Sequence, residues 1–167
     1  GINMKKTIFV SLIAILIAAI VIPTFAYMET TAINQADDDT MWLDSMTAES
    51  TNVDIHYGTA PDGTAINIGD NQKFDHGISM HPPMEGPAEA EFNIEGLGYR
   101  TFIALGGKDL YSAAAVGVEG ITGTHVGLEV WVDGVKKAES GNIPYPETYL
   151  FKVDITGAKK LKLVATD

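Results

Sequence analysis

Glu89-Ala90-Glu91-Phe92-Asn93-Ile94-Glu95 alternates polar and apolar at every step, and that alternation decides the fold. Successive side chains of a strand point to opposite faces, so Ala90, Phe92 and Ile94 share one face and the acids and Asn93 share the other. The same period recurs downstream. Phe151, Val153 and Ile155 alternate with Lys152 and Asp154, and Leu161, Leu163 and Ala165 alternate with Lys160 and Lys162. Tyr99–Leu105 and Val126–Val132 are apolar on both faces for several residues, which predicts central strands, with Trp131 in the core. Turn residues separate these runs at Pro61-Asp62-Gly63, Gly96-Leu97-Gly98, Gly106-Gly107 and Gly157. Asp133-Gly134, between Val126–Val132 and Val135–Ala138, is a strong hairpin signal. No stretch after residue 40 carries a long 3.6-residue apolar stripe. Many short antiparallel strands at this spacing predict an all-β sandwich or barrel. Its expected core is Phe92, Ile94, Phe102, Val130, Val153, Ile155, Leu161 and Leu163.

Upstream of the strands the chain changes character. Met4-Lys5-Lys6 precedes an apolar run, Ile8–Ile22, broken only by Ser11, and Pro23-Thr24-Phe25-Ala26 places tolerated residues at a cleavage site after Ala26. This is the pattern of a secretory signal peptide over residues 1–26. As a helix the apolar run would span about 23 Å, short of the ~30 Å hydrocarbon core, which favours cleavage over a membrane anchor. Residues 27–40, with Asp37-Asp38-Asp39, read as an acidic, solvated linker. The domain proper is residues 41–167, facing the outside.

Composition narrows the function. The 167 residues carry 22 acidic and 11 basic side chains, a formal charge of −11, and none of the acids precedes Glu29. Such a surface repels phosphate backbones and anionic lipid, so nucleic-acid binding is excluded, and membrane association is left to an uncleaved leader. With no cysteine there is no disulfide scaffold, thiolate metal site or cysteine nucleophile. The four histidines, His56, His76, His81 and His125, form no H-x-H, H-x-x-x-H or H-E-x-x-H pattern, and neither G-x-S-x-G nor a phosphate-binding glycine loop occurs. Glu89 and Glu91 would sit about 6.8 Å apart on one strand face, a separation compatible with glycoside hydrolysis. Asn93 and Glu95 continue that face, so a solvated sheet surface is the simpler account. Trp42, Tyr111 and Tyr145 (in Pro144-Tyr145-Pro146) stand at strand ends or in loops, where a flat ring can cover the apolar face of a sugar.

One ordered set of segments is more specific than a generic sandwich. It opens with Met41-Trp42-Leu43-Asp44 and continues through Phe74-Asp75-His76-Gly77-Ile78-Ser79-Met80-His81-Pro82, Ala90–Ile94 and Tyr99-Arg100-Thr101-Phe102, with Gly106 and Asp109. Leu128–Gly134, Ser140-Gly141 and Val153–Val164 complete it. The set resembles the NPCBM family of carbohydrate-binding modules over residues 41–167. That resemblance implies an antiparallel β-sandwich, jelly-roll or galactose-binding-like, of the kind appended to secreted glycoside hydrolases. It also implies a non-catalytic module for galactose-containing glycans, targeting an associated glycoside hydrolase or the cell surface. Two departures stand out. The family continues past the strand matching Leu161–Ala165 into a glycine- and aspartate-rich loop and a closing strand, whereas this chain stops at Asp167, so a C-terminally truncated module is expected. The segment between Asp109 and Val126 is also unusually rich in small residues, among them Ala113-Ala114-Ala115.

The expected binding residues are His81, Asp75, Asp109, Trp42 and Tyr111. His81 would donate to a sugar hydroxyl, or else be a buried histidine bonded to a backbone carbonyl. Asp75 and Asp109, each beside a turn, would accept from hydroxyls or ligate Ca2+ through oxygen. Asp133 reads as a turn residue. The competing function is a structural or adhesive extracellular sandwich that packs against a protein partner.

Overall fold

The computed structural model describes Thr7–Phe9, residues 40–112 and residues 124–166. The predicted cleavage site, the linker up to residue 39 and the small-residue segment 113–123 lie outside these. The described residues form strands and two 3₁₀ turns, with no α-helix among them. In chain order the strands are β1 (Thr7–Phe9), β2 (Thr40–Trp42), β3 (Ser50–Thr51), β4 (Ile55–Tyr57), β5 (Ile66–Ile68) and β6 (Gln72–Phe74). There follow β7 (Ile78–Met80), β8 (Ala88–Asn93), β9 (Thr101–Gly106), β10 (His125–Val132), β11 (Val135–Pro144), β12 (Tyr149–Asp154) and β13 (Lys160–Thr166).

Two sheets carry the fold. One is antiparallel throughout, in the order β11-β10-β13-β8-β3. The other runs β12-β9-β1-β2; β12 and β9 are antiparallel, and β1, inside the predicted leader, pairs parallel with both neighbours. The ribbons β4–β7 and β5–β6 complete the architecture.

The main core lies where the apolar strand faces meet, and all eight expected core residues are buried in it. Phe92, Phe102 and Phe151 are the largest side chains there. β9 is apolar on both faces because both are covered. Phe102 and Ala104 enter the main core, while Ile103 and Leu105 pack in a second cluster with Ile66, Ile68 and Phe74 of the β5–β6 hairpin.

β10 departs from expectation. Its core set is Val126, Leu128, Val130 and Val132, so Trp131 falls on the opposite, half-buried face with Glu129. There the indole Nε1 donates to Glu129 at 2.7 Å and the Lys162 ammonium sits 4.7 Å from the ring centroid. Trp131 is therefore not a core residue. It sits on the outer sheet face, its polar edge hydrogen-bonded and its ring under a cation. The same face carries the ion pairs Glu89–Lys162 at 3.6 Å, Glu49–Lys160 and Lys136–Glu139 at 2.6 Å, which agrees with a solvated surface for Glu89 and Glu91.

Asp133 and Gly134 join β10 to β11 with φ of 49° and 78°, the left-handed pair that a two-residue hairpin requires. Asp133 does more than turn the chain. One carboxylate oxygen accepts the amides of Lys159 and Lys160 at 2.9 and 2.8 Å, tying the hairpin to the start of β13. The Lys160 amide, then that of Lys159, holds the Asp133 carboxyl below its ordinary range. A depressed carboxyl stabilises the fold above its unfolded value, and that contribution disappears as pH falls through the folded value. Asp133→Asn keeps the turn preference but removes the charge. Its melting midpoint should lie below that of the native chain at neutral pH, and the two should converge in acid. Parallel curves at every pH would show that the carboxylate is not what the amides require.

Candidate functional site

The ribbon β4–β7 is amphipathic at the level of single residues. Its register pairs Ile55 with Met80, His56 with Ser79 and Tyr57 with Ile78. Ile78 and Met80 are buried in the main core, and Ile55 and Tyr57 pack against it. Alternation then turns His56 and Ser79 to the other face. One step along the same register sets Asp54 opposite His81. All four line one cleft of about 1250 Å³, together with Pro82, Pro83, Asp109 and Tyr111. A second cleft of about 750 Å³ shares His81, Pro82 and Pro83 with the first, so His81 stands on the ridge between them.

The polar groups around the cleft divide into those that hold the frame and those left over. Asn52 is committed: its Oδ1 accepts the Glu89 amide at 2.8 Å and its Nδ2 donates to the Pro87 carbonyl at 2.9 Å. Asp109 is committed too. It is 2% exposed, and its carboxylate accepts the Asn67 amide at 3.1 Å and the Tyr111 amide at 2.7 Å. It thereby ties β5 to the 3₁₀ turn Leu110–Ser112, which presents the exposed Tyr111 ring. Burial raises the Asp109 carboxyl above its ordinary range, against the two amides, which lower it; nearby Asp62 adds to the rise. The Oδ1 of Asn67 is buried beside it without a partner among the described residues.

The second group makes no such commitment: Asp54 and His81 are exposed, His56 is half-buried, and Ser79, 2% exposed, lies at the cleft floor. Among the described residues the side chains of Asp54, His56 and Ser79 make no hydrogen bond or ion pair. The His81 ring is exposed, and its Nδ1 lies 2.6 Å from the Pro82 carbonyl. A carbonyl only accepts, so Nδ1 carries the proton and, in the neutral ring, Nε2 is an acceptor. His81 thus makes the expected bond to a backbone carbonyl but is not buried, and in the neutral ring Nε2 is left as an acceptor.

Of the five expected residues, His81, Asp109 and Tyr111 meet in this cleft. Trp42 and Asp75 do not line it. Trp42 stacks on His76 with centroids 4.2 Å apart and an interplanar angle of 3°, and packs against the second apolar cluster. His76 Nδ1 lies 3.2 Å from Asp44, whose carboxylate also accepts the Gly77 amide at 2.9 Å. Asp75 is exposed beside His76, and Tyr145 lies away from the cleft, at the end of β11. Asp54, His56 and Ser79 were missed. Their signal was the alternation in Asp54-Ile55-His56-Tyr57, too short to register as a strand, and its pairing with the strand expected from Gly77 up to His81, which the structure shows as β7. No three His, Cys, Asp or Glu side chains among the described residues gather to hold a metal ion.

An antiparallel sandwich with a polar cleft beside its loops is a common frame for ligand-binding modules. The chain belongs to the NPCBM/NEW2 domain family, which matches residues 35–167. Among solved structures it is similar to CBM51 of Clostridium perfringens GH95 in complex with methyl-galactose, a carbohydrate-binding module: 26% identity, TM-score 0.62, covering 76% of this chain and 86% of that one. CBM51-2 of Clostridium perfringens ZmpB, solved with GlcNAc and INT domains, is 24% identical with TM-score 0.60 over 75% of this chain. A ZmpB structure with its M60 catalytic domain and both CBM51 domains is 22% identical with TM-score 0.60 over 77% of this chain. These two share the fold, and the chain spans only 28% and 14% of their lengths. No curated protein sequence matches the chain.

Removing the Asp109 carboxylate strips the acceptor from two amides at the cleft wall. Asp109→Ala should cost about 1–3 kcal/mol of stability at neutral pH, the range for leaving buried donors unsatisfied. The raised carboxyl has a second consequence. The folded state binds that proton before the unfolded chain does, so this group's contribution falls as pH rises from the ordinary carboxylate range to the raised value. Asp109→Asn should lack that decline. Urea denaturation of the three proteins across this range checks both, and an unchanged Asp109→Ala midpoint would remove Asp109 from the frame.

Proposed function

We propose that this chain is an exported, non-catalytic module that binds galactose-containing glycans in the cleft over β4–β7. One observation carries the reading: three polar groups, Asp54, His56 and His81 Nε2, face the cleft with no hydrogen-bond partner among the described residues, over the buried Ser79 and beside the exposed Tyr111 ring. Sugar hydroxyls both donate and accept, and a pyranose presents one apolar face to an aromatic ring, so this set matches the ligand. The similarity to the methyl-galactose-binding module supports galactose. The leader pattern supports export. A single shallow site binds weakly, so the module works best linked to a glycoside hydrolase or repeated at a cell surface. Glu89 and Glu91 lie on the outer face of the five-stranded sheet, Glu89 paired with Lys162, and neither lines the cleft. Ca2+ remains part of the proposal as a support for the loops, read out by a chelator.

A glycan array, screened with and without chelator, tests the ligand class. His81→Ala should weaken galactoside binding by about 1–3 kcal/mol, the cost of leaving a sugar hydroxyl unpaired. Its melting midpoint should stay within a degree or so of the native one, because the ring is exposed and holds only its neighbour's carbonyl. Calorimetric titration and a thermal melt on the same variant separate these effects. Unchanged affinity would move the site to another loop, and glycosidase activity in the isolated chain would overturn the non-catalytic reading.

A further inference from the structure

We infer that the cleft selects uncharged glycans and rejects acidic ones, and that Asp54 is the residue that discriminates. The inference rests on the glycan reading above and adds to it the ligand's charge. Among the described residues, those lining the cleft include two carboxylates, Asp54 and Asp109, and no lysine or arginine. Asp109 is buried with both oxygens on amides, so the exposed Asp54 is the carboxylate a ligand meets.

Among the described residues, several cations are engaged away from the cleft. Lys136, Lys159, Lys160 and Lys162 all pair with glutamates. Lys108, next to Asp109, is 9% exposed and does not line the cleft. The chain as a whole carries −11, so the distant field has the same sign as the local one. A sulfate or carboxylate on a bound sugar would face a fixed negative charge with no cation to receive it. A neutral sugar uses the same carboxylate as a hydroxyl acceptor, a charge-assisted bond.

The groups that can oppose this are His56 and His81, the titratable bases facing the cleft. The test is therefore run at alkaline pH, where imidazoles are neutral. Lactose and its 3′-sulfated derivative are titrated into the native protein and into Asp54→Asn, which keeps the shape and removes the charge. The native protein should bind lactose at least about tenfold more tightly than the sulfated sugar, as expected for like charges some ångströms apart near a protein surface. In Asp54→Asn most of that gap should close, and about 1 M salt should narrow it in the native protein, since an exposed charge is screened. Equal affinities, or a preference for the sulfated sugar, would overturn the inference while leaving the glycan reading intact. A gap that persists in Asp54→Asn and at high salt would also overturn it, because the rejection would then be steric. A protein that binds neither sugar and no neutral glycan on an array would overturn both.

Discussion

The burial of Ile78 and Met80 is the constraint on which the site depends. A strand has two faces, and one residue of slip exchanges them. With Ile78 and Met80 held in the main core, Ser79 is turned to the cleft and the chain leaves the strand with His81 at its rim. The partner β4 obeys the same rule, so core packing on one face of a three-residue ribbon fixes the register of polar groups on the other. At the ribbon's entrance Asp44 accepts hydrogen bonds from the Gly77 amide and His76 Nδ1, and at its exit the Pro82 carbonyl accepts one from His81 Nδ1. The entrance is pinned outside the cleft, and the exit uses only the Nδ1 side of the His81 ring.

That separation of duties extends to charge. Acids and lysines on the outer face of the five-stranded sheet neutralise one another in pairs, and Trp131 is drawn into the same network through Glu129 and Lys162. Exposed pairs of this kind add little to stability. Their consequence is spatial. Lysines engaged on that face are not available to the cleft, and the cleft keeps an acid without a counter-ion.

Fold and site were legible in the sequence to different depths, for a physical reason. Glu89–Glu95 and Lys160–Ala165 are long enough for a period of two to stand out, and their apolar faces are buried as expected. The β10 run misled because Val126-Gly127-Leu128 and Val130-Trp131-Val132 look apolar on both faces, whereas the indole edge and a neighbouring lysine suit Trp131 to a polar surface. His81, Asp109 and Tyr111 were reachable because each adjoins a turn or proline. His56 and Ser79 were not, since they meet only through antiparallel pairing of two three-residue strands distant in sequence. Histidines sought by spacing along the chain could not reveal a pairing across it. Trp42 showed the converse failure: an aromatic at a strand end looks available until the stacked His76 ring is seen covering it.

The cleft's composition bears on how such a site must work. Among the described residues Tyr111 is the one phenolic or indole ring in its lining, and Val53, Met80, Pro61, Pro82 and Pro83 supply further apolar surface beside the polar groups. Stacking on one ring gives a modest apolar contribution, so orientation has to come from hydrogen bonds whose strength depends on preorganisation. The frame supplies that preorganisation: Asn52 fixes the loop before Asp54, Asp109 fixes the turn bearing Tyr111, and Pro82 fixes the His81 ring. Rigid acceptors favour discrimination among hydroxyl stereochemistries over raw affinity, because a misplaced hydroxyl leaves a desolvated acceptor unpaired. On the proposed reading, a module built this way gains specificity from its frame and takes its avidity from linkage or repetition.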